Sequence, residues 1–233
     1  MSKLGYCSRS QARTFIKLGR VRVDGRIVRD PETRVALGRV RIEAEGRDVR
    51  AKAGVYLMLN KPRGLVTTAS DEQGRETVFE CLAGKGLPFV GPVGRLDKAS
   101  EGLLLFTNDT AWAARITDPG SRLDKTYHVQ LNCVADETLA RRLEQGVTAD
   151  GDFLAVKRAG VLRRGEKNSW LEMTLDEGKN RHIRRLLEAL GFQVLRLVRV
   201  AIGPLALGAL ARGQFRHLTR EEVRSLLTRG RPA

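Results

Sequence analysis

The run Gly94-Arg95-Leu96-Asp97-Lys98-Ala99-Ser100-Glu101-Gly102-Leu103-Leu104-Leu105-Phe106-Thr107-Asn108-Asp109 places one carboxylate, Asp97, on a turn that leads into a buried strand. Gly102–Phe106 reads as a central strand because it is continuously apolar. A fixed carboxylate in a chain of net charge +15 faces polyanions, and that pairing points to chemistry on nucleic acid. Taken alone, such an aspartate would simply pair with Arg95 or Lys98. Two other side chains suit the same chemistry. Tyr127 lies on the alternating run Lys125–Leu131, sharing a strand face with Val129 and Leu131; taken alone it would be a core tyrosine with a hydrogen-bonded hydroxyl. Arg184 lies on a helix opening at about Arg181, whose buried stripe is Ile183, Leu186, Leu187 and Leu190. It sits about 60° from Leu187 on the helical wheel, at the edge of the stripe and placed to turn inward, whereas Arg185 lies on the opposite side.

Composition bounds the rest. The chain has 233 residues, 42% of them hydrophobic, enough to bury a core in one large domain or in a small one plus a medium one. Basic residues number 42 against 27 acidic, and residues 1–50 alone hold 13 basic and 6 acidic. An excess of seven in the first fifth of a +15 chain reads as a nucleic-acid-binding appendage on a less charged body. Cys7, Cys81 and Cys133 are scattered and odd in number, which suits a reducing, cytosolic setting and neither a disulfide framework nor a zinc site. His128, His182 and His217 share no ligand spacing, so no metal is expected. No apolar window is long enough for a membrane span, and the first residues lack the pattern of a secretory signal. The cytoplasm is the expected location.

Ser8 or Ser10 caps a helix through Leu18, with Ala12, Phe15 and Ile16 inward, Arg9, Arg13 and Lys17 outward, and Gly19 at its end. Val21–Val23 and Arg26–Val28 flank the turn Asp24-Gly25, a hairpin signal, and a further strand is expected at Val40–Ile42. The residues C-S-R-S-Q-A-R and I-K-L-G-R-V-R-V-D-G resemble the S4 RNA-binding domain. That resemblance implies a basic face, including Arg9, Arg13, Lys17, Arg20 and Arg22, held against structured RNA. S4 domains usually begin several residues earlier, with a Leu-rich first helix, so either the start lies upstream or the module is trimmed. The expected organisation is an S4 domain over 1–48, a linker over 49–54, a catalytic domain over 55–228 and a tail over 229–233.

In the body, Val55–Leu59 reads as a buried strand stopped by Asn60-Lys61-Pro62-Arg63-Gly64, which puts Lys61 and Arg63 on a loop. Leu65–Thr68 resumes as a strand, and Gly91–Gly94 is a turn. Thr107-Asn108-Asp109 caps a helix over Ala111–Ile116. The alternation in Val194–Ile202 breaks at Leu197-Val198, which suggests a bulge. A last helix runs from Arg220 to Leu227 after Thr219.

K-P-R-G, then G-R-L-D-x-x-S-E-G-L-L-L-F-T-N-D, then K-T-Y-H-V, then E-G-K-N-R-H-I-R-R-L-L together resemble the RsuA-type family of RNA pseudouridine synthases, over nearly all of 55–225. The fold implied is α+β: a small S4 domain followed by a mixed α/β synthase domain with a long, mainly antiparallel sheet. The resemblance makes Asp97 the catalytic aspartate, Tyr127 the active-site tyrosine and Arg184 the basic partner of the aspartate. Isomerising uridine breaks the N1–C1′ bond, turns the uracil and rejoins it through C5, so the site needs an ionised carboxylate, a pocket for an extruded base and a way to remove the C5 proton. Asp97 attacks C1′, attacks the ring or takes a ribose proton; all three routes need it charged, and an adjacent cation opposes the pKa rise that burial imposes. Lys61, Arg63 and Arg95 are expected to bind RNA, and Lys179, Arg181 and Arg185 to touch its phosphates, with Arg181, one turn before Arg184 on the same flank, the second choice as partner of the aspartate. The implied partner is structured, uridine-containing ribosomal RNA, of the large subunit in preference to the small, bound by a monomer with no cofactor and no membrane. The rival readings are a non-catalytic S4-domain RNA-binding or ribosome-assembly protein and a metal-dependent nuclease built on Asp97, Glu101 and Asp109.

Overall fold

In the computed structural model, which describes residues 1–36, 38–50 and 52–228, the first helix, α1 (Arg9–Lys17), begins at a capping box. The Ser8 hydroxyl accepts from the Gln11 N–H and the Gln11 side chain accepts from the Ser8 N–H. The helix packs on an antiparallel sheet of β1 (Val21–Val23), β2 (Arg26–Val28), β3 (Ile42–Ala44) and β4 (Arg47–Asp48), in the order β2-β1-β3-β4. Asp24 and Gly25 both have positive φ, as a two-residue hairpin turn of this hand requires. Val49, assigned to the linker on sequence, belongs to this small core with Val21, Ile42 and Ala44. Its N–H bonds the Ile42 carbonyl at 2.8 Å. The expected tail over 229–233 lies outside the described residues.

The body comprises β5 (Tyr56–Lys61), β6 (Gly91–Val93), β7 (Glu101–Thr107), α2 (Thr110–Thr117), β8 (Lys125–Leu131), α3 (Glu137–Gln145), β9 (Val147–Ala149), β10 (Asp152–Leu154), β11 (Arg158–Arg164) and β12 (Ser169–Leu175). After these come α4 (His182–Ala189), β13 (Val194–Ile202), β14 (Leu205–Ala206), β15 (Phe215–His217) and α5 (Arg220–Ser225). One sheet runs β11-β12-β8-β13-β7-β5-β15, with β14 on β13 and β6 on β7, and β9 and β10 form a separate hairpin. The long sheet is mainly antiparallel, as expected. Its one parallel seam joins β13 to β7 over two residue pairs, Val198 with Glu101 and Arg199 with Gly102. Gly102 is required there: its φ is +99°, and a Cβ would run into the Arg199 backbone.

Alternation along the strands builds three cores. Val129, Leu131, Leu171 and Met173 pack under α3 and α4. Leu57, Leu59, Leu104 and Phe106 pack with Leu96 and the segment around Val78. Met58, Leu103 and Leu105 pack with Trp112, Ile202 and Leu226. Tyr127 contacts both the first and the second core, so it stands where the two halves of the sheet meet.

Four local readings are corrected. β5 continues through Asn60 and Lys61, because Pro62 ends the strand only after Lys61 has paired with Gly102. Leu65–Thr68 makes only the single bridge Val66 to Thr77, and the Thr67 hydroxyl instead donates to the Leu96 carbonyl at 2.7 Å. Gly91–Val93 is a strand on β7, and only Gly94, at positive φ, turns the chain. The break in β13 is two register shifts, between Val194 and Arg196 and between Arg199 and Ala201, on either side of the expected site. Each shift reverses the alternation, so two of them look like one irregularity near the middle.

Gly102→Ala should destabilise the chain by about 3 kcal/mol or more, because both the positive φ and the Arg199 backbone oppose a side chain. Gly25→Ala, also at positive φ but with open space around it, should cost about 1 kcal/mol. Denaturant unfolding of the two variants compares them directly, and equal losses would contradict the seam's dependence on Gly102.

Candidate active site

Asp97 is half-buried on the loop between Gly94 and β7. The loop is fastened at three points. Thr67 holds Leu96, its hydroxyl donating to the Leu96 carbonyl at 2.7 Å and accepting from the Leu96 N–H at 3.3 Å. The Ser100 N–H closes back on the Asp97 carbonyl at 3.0 Å. Beneath them lies Lys61, with a relative exposure of 0%. Its ammonium donates to the carbonyls of Asp97 at 3.1 Å, Ser100 at 2.8 Å and Pro62 at 3.1 Å, which uses all three of its donors.

This overturns the reading of Lys61 as a loop residue that binds RNA: it is a buried strut under the Asp97 loop. Burial pushes its pKa down to about 8, against the pull of the Asp97 and Glu101 carboxylates. Because folding lowers this pKa, the Lys61 charge opposes folding below about pH 8. That cost fades as the pH climbs toward 10.5, where the unfolded lysine also loses its proton.

Glu101, at the start of β7, is 4% exposed and takes both oxygens to Arg196 at 3.0 Å, with Arg212 at 3.5 Å from one of them. Arg196 in turn stacks over the Trp170 ring, 5.4 Å from its centroid. Asp109 caps α2, accepting from Ala111 and Trp112 N–H groups at 3.0 Å and from the Tyr56 hydroxyl at 2.8 Å. Both acids are therefore committed to the scaffold, and neither converges with Asp97 as a metal-dependent nuclease would need. Among the described residues, no three His, Cys, Asp or Glu side chains are grouped as metal ligands, and no helix is long and apolar enough to cross a membrane.

Arg184 comes from the first turn of α4 and meets the same loop. One of its terminal nitrogens donates to the Ala99 carbonyl at 3.2 Å, while its Nε is buried without a partner. Burial lowers its pKa first and Arg181 second; the Asp97 charge pulls it back up, and Arg63 opposes that pull. Asp97 thus lies within electrostatic reach of Arg184, yet among the described residues it forms no direct ion pair, and the arginine is seated through the loop backbone instead. Tyr127, on β8, faces this point from across the seam: it is paired with Arg199, which is paired with Gly102, which is paired with Lys61. Leu96, the neighbour of Asp97, shares a core with Tyr127.

The other expected contacts divide. Arg9, Lys17, Arg22, Arg63, Arg95 and Arg181 are exposed, and Arg181 has φ +48°, a left-handed setting for a non-glycine residue at the N-cap of α4. Arg13 and Arg20 are exposed but lie against Glu32 at 3.4 Å and Glu45 at 3.1 Å. Lys179 donates to the Phe153 carbonyl at 2.7 Å and pairs with Glu177 at 3.2 Å. Arg185 is corrected outright. The wheel turned it away from the stripe, but the β9–β10 hairpin covers that side, and Arg185 binds Asp150 at 3.1 Å, Asp152 at 2.9 Å and the Ala149 carbonyl at 2.8 Å. It fastens the hairpin to α4 and leaves no face for a phosphate. Glu177 similarly sits 3.4 Å from His182, a buried histidine that sequence assigned no role.

Comparison with known proteins identifies the two domains. The family model of RNA pseudouridylate synthase matches residues 55–189, and that of the S4 domain matches residues 1–40. The chain is 36% identical over 225 residues to the ribosomal large subunit pseudouridine synthase B of Bacillus subtilis, covering 95% of this chain and 91% of that protein. It is 36% identical over 228 residues to an uncharacterized RNA pseudouridine synthase of Aquifex aeolicus, covering 97% and 91%. A crystal structure of a pseudouridylate synthase aligns with a TM-score of 0.66 at 32% identity, over 94% of each chain. The chain thus belongs to the RNA pseudouridine synthase family, an isomerase with an N-terminal S4 domain.

Proposed function

We propose that this enzyme isomerises a uridine of ribosomal RNA, of the large subunit in preference to the small, with Asp97 as its catalytic carboxylate. The observation that carries the reading is the Asp97 loop itself, held from below by Lys61 and flanked by Tyr127 and Arg184. The large-subunit preference rests on the name of the Bacillus subtilis relative and on the motif Glu177-Gly178-Lys179-Asn180-Arg181-His182-Ile183-Arg184-Arg185-Leu186. A single chain working in the cytoplasm fits this task.

The steps follow from the residues. Exposed arginines, Arg63, Arg95 and Arg181 near the cleft and Arg9 and Arg22 on the S4 module, take phosphates and set the register of the RNA. The target base leaves its stack at a cost of a few kcal/mol, and stacking on Tyr127 offsets part of that cost. Asp97 acts as a carboxylate, within electrostatic reach of Arg184. The N1–C1′ bond breaks, the uracil turns, C5 bonds to C1′, the C5 proton leaves within reach of Tyr127, and N1 takes up a proton. The product is an isomer of the substrate, so nothing is consumed. A role as a non-catalytic assembly protein is not favoured, since the whole catalytic trio is present.

With RNA tritiated at uracil C5, the wild type should release tritium and Asp97→Asn should release none; equal release from both would remove Asp97 from the chemistry. Arg184→Ala should lower kcat about 10²-fold with RNA affinity changed by less than threefold, the signature of lost positioning and charge support. A pure affinity loss would make Arg184 a phosphate contact. Neutral Lys61 has two donors for three carbonyls, so kcat should fall as the pH rises through about 8. A profile flat to pH 9.5 would show that the strut's charge is dispensable. Replacing Arg9 and Arg22 by Ala should flatten the slope of log K against log salt by about one contact each, measured by filter binding.

A further inference from the structure

A cavity of about 460 Å³ opens along one face of α4, and Arg184 of the candidate active site is among its lining residues. Arg181, Arg184 and Glu188 are three and four residues apart, so they share that face, and Gly191 continues the line past the end of the helix. At 1.5 Å per residue the stretch from Arg181 to Gly191 covers about 15 Å, longer than one nucleotide base. Phe192 and Gln193 close the far end. That end is rigid: the Phe192 N–H bonds the Leu187 carbonyl at 2.8 Å, the Asn132 N–H bonds the Gln193 carbonyl at 3.2 Å, and the Gln193 N–H bonds the Asn132 side chain at 2.9 Å.

The polarity of the groove changes along its length. At the near end Arg184 stands in the field of Asp97, with Arg181 beside it. At the far end Glu188 and Gln193 are exposed, and among the described residues neither side chain has a hydrogen-bond partner. A carboxylate left unpaired beside arginines, in a basic protein that binds RNA, repels phosphate and so suits a base edge. It accepts from the exocyclic amine of adenine, cytosine or guanine, and uracil carries no amine. The Gln193 amide can donate and accept beside it, and the Phe192 ring offers an apolar wall.

We propose that this groove is a second base-binding subsite, which holds the nucleotide adjoining the target uridine and favours an amine-bearing base there over uracil. Arg181 takes the connecting phosphate, and Glu188 and Gln193 read the base edge. The inference rests on the RNA-isomerase reading above, and its test keeps the two apart.

The test uses the full chain, immobilised, and a pool of RNA hairpins whose loop carries one fixed uridine with two random nucleotides on each side. Bound RNA is sequenced. At one position beside the fixed uridine, amine-bearing bases should be enriched over uracil about tenfold. Glu188→Gln should reduce that enrichment below about threefold, while Glu166→Gln, an exposed carboxylate on the β11–β12 turn, should keep it. No enrichment in the wild type, or enrichment unaffected by Glu188→Gln, would overturn the subsite. Tritium release from the same pool reads the reaction separately. Enrichment without release would sink the isomerase reading and keep the subsite, and release without enrichment would do the reverse.

Discussion

Three carbonyl oxygens on one buried ammonium are the constraint on which the site depends. Lys61 ends β5 beneath the Asp97 loop, and its bonds to Asp97 and Ser100 tie that loop to Pro62 at the end of the strand. A charge this deep is costly, as its lowered pKa records. The cost is tolerable because Asp97 and Glu101 stand near it and because every donor is satisfied. The same lysine therefore joins two requirements that would otherwise compete: a carboxylate exposed enough to meet a base, and a loop rigid enough to aim it.

The sheet makes that arrangement possible through its one parallel seam. Lys61, Gly102, Arg199 and Tyr127 lie in a single row across β5, β7, β13 and β8. Antiparallel halves on either side bury separate cores, and Tyr127 touches both. Glu101 and Arg196 lock the start of β7 immediately after the loop, and Trp170 backs Arg196. The exposed cations Arg63, Arg95 and Arg181 are carried on turns and a helix end, where they cost the core nothing.

Much of this was legible in the chain. The strand Lys125–Leu131 and the Asp109 cap are where alternation and capping place them, and the inward turn of Arg184 follows from its position on the wheel. What was not legible depended on distant partners. Lys61 looked like a loop residue because Pro62 and Gly64 mark a turn beside it, and two of its three carbonyl partners come from more than thirty residues away. Arg185 looked free because a helical wheel cannot show the hairpin that covers it, although Asp150 and Asp152 in a polar turn were a faint sign of a partner. The doubled register shift in β13 and the single bridge at Val66 likewise follow from pairing across the sheet, which local alternation does not encode.

The central claim is that Asp97, set in this frame, acts on one uridine of ribosomal RNA. Pseudouridine mapping of ribosomal RNA from cells lacking this protein, complemented with the wild type or with Asp97→Asn, tests it most directly. The account predicts one uridine left unmodified without the protein, restored by the wild type and not by Asp97→Asn. A map unchanged by the loss of the protein, or restored equally by both, would contradict it.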